Sequence, residues 1–181
     1  MKRRVDSEQR NRRAWSWRFG TSEGEGTGCN RPPNPKEMLI SDTAFDGSEL
    51  ACLKVARLYF LSFAVPETQA WMCAPSEAEG IAPNLSGPDM ACLVMNLLNA
   101  IRRSRVSFFT YANPQCPGCS RIITEHENRM ISALAALRLG QRQRAQTQMM
   151  LLCEGNATDI VMFHLEEMAH ALPEANKCAV H

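Results

Sequence analysis

Four apolar stripes at helical spacing occupy residues 87–172, and three of them are followed by a residue that stops a helix. Ser86 and Thr124 each precede a stripe as the first residue of a capping box. Gly140 and Pro173 follow stripes as natural terminators. The helices predicted from this pattern are 87–105, 120–139, 141–153 and 158–172. Their short connections favour a small antiparallel helical bundle.

A further helix is predicted at residues 47–65, where Asp46 or Ser48 can serve as the N-cap and Pro66 ends the pattern. It either completes the bundle or extends it. Residues 66–87 are rich in proline and glycine and therefore predict a linker or a long loop. The predicted fold class is all-α, with about four to five helices.

The first 37 residues differ from the rest in charge and periodicity. They hold nine Lys or Arg residues and five Asp or Glu residues, whereas the whole chain has a net charge of only +1. No apolar stripe runs through them, so we expect a disordered basic tail. The predicted organisation is a tail at 1–37, a helix plus linker at 38–86, a helical domain at 87–173 and a C-terminal tail at 174–181.

Aromatic and basic residues are interleaved in this tail. Trp15, Trp17 and Phe19 stand among arginines, a composition that could bind nucleic acid or an anionic membrane. The alternatives are an inert tail, or a true start at Met38. The net charge of only +1 over the whole chain argues against a whole-chain nucleic-acid binder, so a protein is the expected partner.

Cysteine usage indicates a reducing compartment. The chain has eight cysteines, most of them inside apolar or helical runs, and its basic start is not followed by a signal-peptide core. We therefore expect a cytoplasmic protein with unpaired thiols. The longest apolar run, residues 51–65, is interrupted by Lys54 and Arg57 and is shorter than the ~20 residues of a membrane span.

The sequence Cys116-Pro117-Gly118-Cys119 is the most conspicuous motif, because two thiols at this spacing support redox chemistry. Residues 106–123 read as an extended stretch, the C-x-x-C motif and a helix start. This segment resembles the corresponding part of the thioredoxin and glutaredoxin superfamily. The resemblance implies an α/β thioredoxin-like fold as the alternative to the bundle. It also implies that Cys116 is the attacking thiol and Cys119 the resolving thiol.

The same two thiols could instead bind zinc, because one C-x-x-C turn commonly supplies half of a tetrahedral site. His126 and Cys153 are one candidate pair for the other two ligands. Cys178 and His181, a C-x-x-H pair, are the alternative.

No complete catalytic set accompanies these residues, so an enzyme is not the favoured interpretation. The leading hypothesis is a helical interaction or regulatory module, which zinc at the C-P-G-C pair could stabilise. The alternative is a thiol–disulfide oxidoreductase that uses Cys116 and Cys119.

Overall fold

Helices make up most of residues 31–175, the part of the chain that the computed structural model describes. They are α1 Gly47–Ala64, α2 Ala74–Glu77, α3 Gly87–Ser104, α4 Pro117–Ser120, α5 Glu125–Arg138, α6 Arg142–Leu152 and α7 Asp159–Ala171. Two short strands, β1 Glu37–Leu39 and β2 Ile122–Thr124, form one antiparallel sheet. The prediction of an all-α helical bundle is confirmed, and its five predicted helices are the five long ones.

Side-chain caps mark the start of three of the long helices. Asp46 and Glu49 form a reciprocal capping box at the start of α1. Thr124 and Glu127 form another at the start of α5, and Ser86 accepts the Asp89 N–H at α3. The prediction that the third helix starts at residue 120 was wrong, because Thr124 is extended and pairs with Glu37 in the sheet.

The core lies where the long helices cross. α5 packs against α1, α6 and α7, and α3 packs against α1, α2 and α7. The predicted stripe of α3 is buried throughout: Met90, Val94, Leu97, Leu98 and Ile101. Met130 and Leu134 of α5 and Met149 of α6 fill the centre. Helix α1 belongs to this same core, so it completes the bundle.

Residues 66–87 are not the linker or long loop that their prolines and glycines predict. Two 3₁₀ turns, Pro66–Thr68 and Ala70–Cys73, lead into α2, and this segment packs on α1 and α3. Small side chains such as Ala74 and Ala78 are buried there, so the backbone comes close to the helices. At Gly87 a Cβ atom would overlap the Pro75 carbonyl oxygen, which is why this position has no side chain.

The α/β thioredoxin-like alternative is wrong. Within residues 31–175 the only sheet has two strands of three residues each. Residues 106–110 of the predicted extended segment lie outside it, and side chains accept several of their backbone N–H groups. Thr124 donates to the Thr110 carbonyl, and His126 accepts the Thr110 N–H.

The two ends of the chain fall largely outside the described residues. The structure describes the predicted tail at 1–37 only from Arg31 onward. In this part, Arg31 forms an ion pair with Glu37 at 2.7 Å, and Glu37 is the first residue of strand β1. Nothing is described beyond residue 175. None of the described helices combines the length and the apolar character that a bilayer crossing requires.

Candidate functional site

The C-x-x-C motif forms one tight helical turn at the surface. Cys116 is the N-cap of α4, and its Sγ accepts the Cys119 N–H at 3.3 Å. Ser120 N donates to the Cys116 carbonyl at 2.8 Å, which closes the turn. Cys116 is half-buried, whereas Cys119 is only 8% exposed. Residues three apart on such a turn have Cβ atoms about 5–6 Å apart, so a small adjustment would bring the two sulfurs within bonding range.

A buried arginine from α1 fixes the far end of this turn. Arg57 Nη1 donates to the Ser120 carbonyl and Nη2 to the Ile122 carbonyl, each at 2.6 Å. Its Nε donates to Glu127 Oε1 at 2.7 Å, and Nη2 reaches Glu127 Oε2 at 3.0 Å. The two charged side chains are 4% and 0% exposed. The turn is therefore anchored to both α1 and α5 by one guanidinium.

The Glu127 carboxylate also accepts hydrogen bonds from backbone amides on both sides of the motif. It accepts the Ala112 N–H at 3.2 Å and the Thr124 N–H at 2.9 Å. The carboxylate thus binds the chain both before and after the two cysteines. Because every charge and donor in this buried pair has a partner, the geometry of the turn is preorganised.

A second arginine covers the buried thiol. Arg31 forms two parallel hydrogen bonds with the Glu37 carboxylate, at 2.7 and 2.9 Å, and it also hydrogen-bonds the Cys119 side chain. The hydrogen bond from Arg31 lowers the pKa of Glu37. Each sulfur of the motif therefore has a donor beside it, the Cys119 amide for Cys116 and Arg31 for Cys119.

His126, one of the proposed zinc ligands, is turned toward the segment before the motif. Its Nδ1 accepts the Thr110 N–H at 2.9 Å, and its Nε2 lies 3.4 Å from Arg105 Nη2. Burial, and then the charge of Arg105, lower the pKa of His126 to about 4. Both ring nitrogens therefore face residues other than the two thiols.

Cys153, the other proposed ligand, caps the C-terminus of α6 and is fully buried. Burial raises the pKa of its thiol. Across residues 31–175 no three His, Cys, Asp or Glu side chains converge on a point where they could hold a metal ion. The structure therefore does not assemble the set Cys116, Cys119, His126 and Cys153. A zinc site at this turn would need ligands from outside the described residues, where the alternative pair Cys178 and His181 lies.

A cleft of about 440 Å³ adjoins the turn. Leu50 and Leu53 of α1 contribute apolar surface to it, and Ser120 at the end of α4 lines one side. Lys54 and Glu77 add one charge of each sign. This volume is within the range of small ligand pockets, about 300–1,000 Å³.

The second candidate site is an exposed apolar surface. Six of the ten large apolar side chains that are exposed in the described part of the chain belong to α6, to α7 or to the segment hydrogen-bonded to their connection, and we call this group the apolar end. Its members are Val106, Phe108, Met150, Leu151, Ile160 and Phe163, which are 48–74% exposed. Two lie in the last turn of α6 and two in the first half of α7, and residues 153–158 join those helices.

An ion pair attaches the remaining two members to this group. Arg105 donates to the Leu152 carbonyl and lies 3.2 Å from Glu154. Glu154 in turn accepts hydrogen bonds from the Val106 and Ser107 amides and from the Ser107 hydroxyl. Burial opposes the ionisation of Glu154, but these bonds and Arg105 outweigh it and lower its pKa to about 2. The segment 105–108 is therefore held against the α6–α7 connection.

The most tightly bound residues of the two sites are ones that the sequence interpretation passed over. Arg57 stood out only as an interruption of an apolar run, and nothing in the sequence paired it with Glu127. A lone arginine within such a run was the one available signal, since a buried charge requires a partner elsewhere. Comparisons with family models, with curated proteins and with solved structures find no significant match for this chain, so we infer its function from the C-x-x-C turn and the apolar end.

Proposed function

We propose that this chain is a non-enzymatic helical interaction module that binds a protein partner through the apolar end. The observation that carries the proposal is the concentration of large exposed apolar side chains at that end. Six side chains that are about half to three-quarters exposed amount to roughly 600 Å² of apolar surface, the upper end of what the largest patch on a monomer covers. Exposed apolar surface of that extent is typical of a binding site.

Buried neighbouring residues and an ion pair hold the backbone of the apolar end in place. Leu152 and Cys153, which follow Met150 and Leu151 in the chain, are fully buried, and so are Val161 and Met162, which follow Ile160. The Arg105–Glu154 pair fixes the remaining edge. A preorganised surface loses little conformational entropy when a partner binds, which favours useful affinity.

Site-specific photo-crosslinking tests this function. We expect a benzophenone amino acid placed at position 163 to give a discrete covalent adduct with one protein, in a saturable manner. The same probe at position 71 is the matched control, because Trp71 is 52% exposed and Phe163 is 55% exposed. Ile160→Ser should strongly reduce the adduct at position 163, because it removes a neighbouring contact, whereas Met72→Ser should leave it unchanged. The absence of a discrete adduct at position 163, or the same adducts from both positions, would contradict the proposal.

A second candidate function is thiol–disulfide exchange at the C-x-x-C turn. It is favoured by the difference between the two sulfurs, since Cys116 is accessible and Cys119 is buried one helical turn away. In the proposed step the Cys116 thiolate attacks a substrate disulfide, and one substrate thiolate leaves and takes up a proton. The Cys119 thiolate then attacks Cys116 Sγ and releases the second substrate thiol. One substrate disulfide is thereby reduced as one protein disulfide forms. The adjoining cleft offers a place for the substrate.

Incubation with glutathione disulfide tests this chemistry. We expect the wild-type chain to form the Cys116–Cys119 disulfide and to release two glutathione molecules. Cys119→Ser should stop at a mixed glutathione disulfide on Cys116, because no resolving thiol remains. Cys116→Ser should give neither product. Mass spectrometry after rapid alkylation distinguishes these species.

The chain carries its own controls for this experiment, because Cys73 and Cys92 are exposed single thiols. If they react with glutathione disulfide as fast as Cys116, the turn has no special reactivity and the second candidate fails. Loss of insulin reduction in Cys116→Ser would extend the result from exchange with glutathione to exchange with a protein substrate.

A further inference from the structure

We propose that Ser107 is a phosphorylation site for a serine kinase that recognises arginines on the N-terminal side of its target. Three features point to it: the arginines that precede the serine, the exposed backbone around it and the carboxylate that its hydroxyl contacts. The phosphoryl donor is a nucleoside triphosphate such as ATP. A phosphate at this position would act locally on the fold, independently of the binding function proposed above.

The residues before Ser107 are strongly basic. Arg102 and Arg103 lie in the last turn of α3 and Arg105 follows it, so arginines precede the serine by five, four and two positions. Arg102 and Arg103 are exposed. Because no Asp or Glu occurs from residue 90 to residue 124, no acidic residue near the serine in the chain offsets this charge. Kinases whose peptide groove is lined by carboxylates select their substrates by such a charge pattern.

Polar contacts rather than apolar burial hold the backbone around Ser107. Residues 105–108 form no helix or strand, and Val106 and Phe108, on either side of the serine, are 74% and 48% exposed. The hydrogen bonds that the Val106 and Ser107 amides make are exposed to solvent as well. A segment with few buried apolar contacts and exposed backbone hydrogen bonds opens locally at modest cost. This segment can therefore be lifted into the active site of a kinase.

The Ser107 hydroxyl is the group that would receive the phosphate. It donates to the Glu154 carboxylate and accepts a hydrogen bond from Arg105 Nη2 at 2.8 Å, so it becomes free when the segment lifts. In the kinase, Oγ attacks the γ-phosphorus of ATP, the bond from that phosphorus to the β–γ bridging oxygen breaks, and ADP leaves with the electron pair. The hydroxyl proton passes to the catalytic carboxylate of the kinase.

A phosphate on Ser107 would break the contact between residues 105–108 and the α6–α7 connection. Glu154 accepts the Val106 N–H at 2.9 Å and the Ser107 N–H at 3.2 Å. A phosphoserine has a charge of about −1.5 to −2 at neutral pH and would lie directly against this carboxylate. It would also compete with Glu154 for Arg105, which lies 3.2 Å from the carboxylate. We therefore expect Glu154 to release both amides.

Incubation of the full chain with ATP and protein kinase C, and separately with cyclic-AMP-dependent protein kinase, tests the site. We expect at least one of these arginine-directed kinases to place a phosphate on Ser107, as mapped by mass spectrometry of peptides. Ser107→Ala should abolish this signal. Ser76 is the matched control within the chain, because it is also exposed but none of the five residues before it is Lys or Arg. It should remain unmodified.

Thr147 separates the effect of charge from the effect of the backbone. Arg142 and Arg144 precede it by five and three positions, but it lies inside α6 and its hydroxyl donates to the Gln143 carbonyl. In the folded chain we expect Thr147 to be phosphorylated about tenfold more slowly than Ser107, or slower still, because a helical turn must first unfold. Faster modification of Thr147 than of Ser107 would contradict the proposal.

Removal of arginines tests how the site is recognised. Arg102→Gln/Arg103→Gln should lower the initial rate at Ser107 by about tenfold, as the loss of two charge contacts predicts. Arg142→Gln/Arg144→Gln is the matched control, because it removes two exposed arginines from α6. It should change the rate at Ser107 less than about twofold. Equal effects of the two double variants would refute recognition through the preceding arginines.

Hydrogen exchange at the Val106 and Ser107 amides tests the structural consequence. Both amides should exchange about tenfold faster in the phosphorylated chain, because they lose a charged acceptor. In Glu154→Gln the phosphate should change their exchange much less, since no carboxylate then opposes it. Unchanged exchange in the phosphorylated wild-type chain would overturn the structural consequence, and the absence of phosphate on Ser107 with both kinases would overturn the site itself.

Discussion

Replacing Arg57 by methionine is expected to lower the free energy of unfolding by about 3–5 kcal/mol, because removal of one partner leaves the other buried charge without compensation. Glu127 would keep its two backbone donors but lose its counter-ion at 0% exposure. The carbonyls of Ser120 and Ile122 would lose their donor as well. At about 2–4 °C per kcal/mol for a chain of this size, the melting temperature should fall by roughly 6–20 °C. Urea denaturation and thermal melts measure both quantities.

Arg144→Met is the matched control for this prediction, because Arg144 is exposed and bonds only to the Gln141 side chain in the described structure. It should change the stability by less than about 0.5 kcal/mol. The double variant Arg57→Met/Glu127→Leu should be more stable than the sum of the two single losses, since neither charge then remains alone. A loss below about 1 kcal/mol for Arg57→Met would show that the pair does not hold the turn.

Gly87→Ala is expected to cost about 2–3 kcal/mol, as overpacking against backbone does. The new Cβ would overlap the Pro75 carbonyl oxygen and lie 2.6 Å from Glu79 Oε2 and 3.1 Å from Glu79 N. The Gly87 N–H also donates to Glu79 Oε2 at 2.8 Å, so a shift of the helix start would break that bond. Denaturant titration of the purified variant measures the cost.

The chain offers an unusually close control in Gly47→Ala. Gly47 begins α1 as Gly87 begins α3, but no atom lies within 4 Å of its potential Cβ. Alanine there should be neutral or stabilising by up to about 1 kcal/mol, because it restricts the unfolded chain. Equal effects at the two glycines would show that the 66–87 segment does not pack tightly on α3.

The sequence was sufficient to predict the long helices because their signals are local. Thr124 and Glu127 are three residues apart and specify the start of α5, and the apolar stripe of α3 needs only its own eighteen residues. The start at residue 120 was misjudged because Ile122–Thr124 pairs with Glu37–Leu39, more than eighty positions earlier. A pattern within one window cannot contain that information.

Parts of the candidate site that lie close together in the sequence could be predicted, whereas parts that meet only in the folded chain could not. The C-x-x-C motif is visible in four residues, but its anchor is not, because Arg57 and Glu127 are 70 positions apart. His126 could be proposed as a ligand of the thiols only while the position of Arg105 was unknown. The packing of residues 66–87 could not be predicted either, because the sequence does not distinguish a buried alanine from an exposed one.

The guanidinium of Arg57 has a consequence for the order in which the molecule assembles. Its acceptors lie 63 to 70 residues downstream, so a nascent chain that has not yet reached Glu127 holds α1 with an unmatched cation on its buried face. Docking of α1 must then wait for the later residues, or incur the cost of desolvating that cation alone. The N-terminal and C-terminal halves therefore become stable together, as a single cooperative unit, and neither half is expected to persist as a folded fragment.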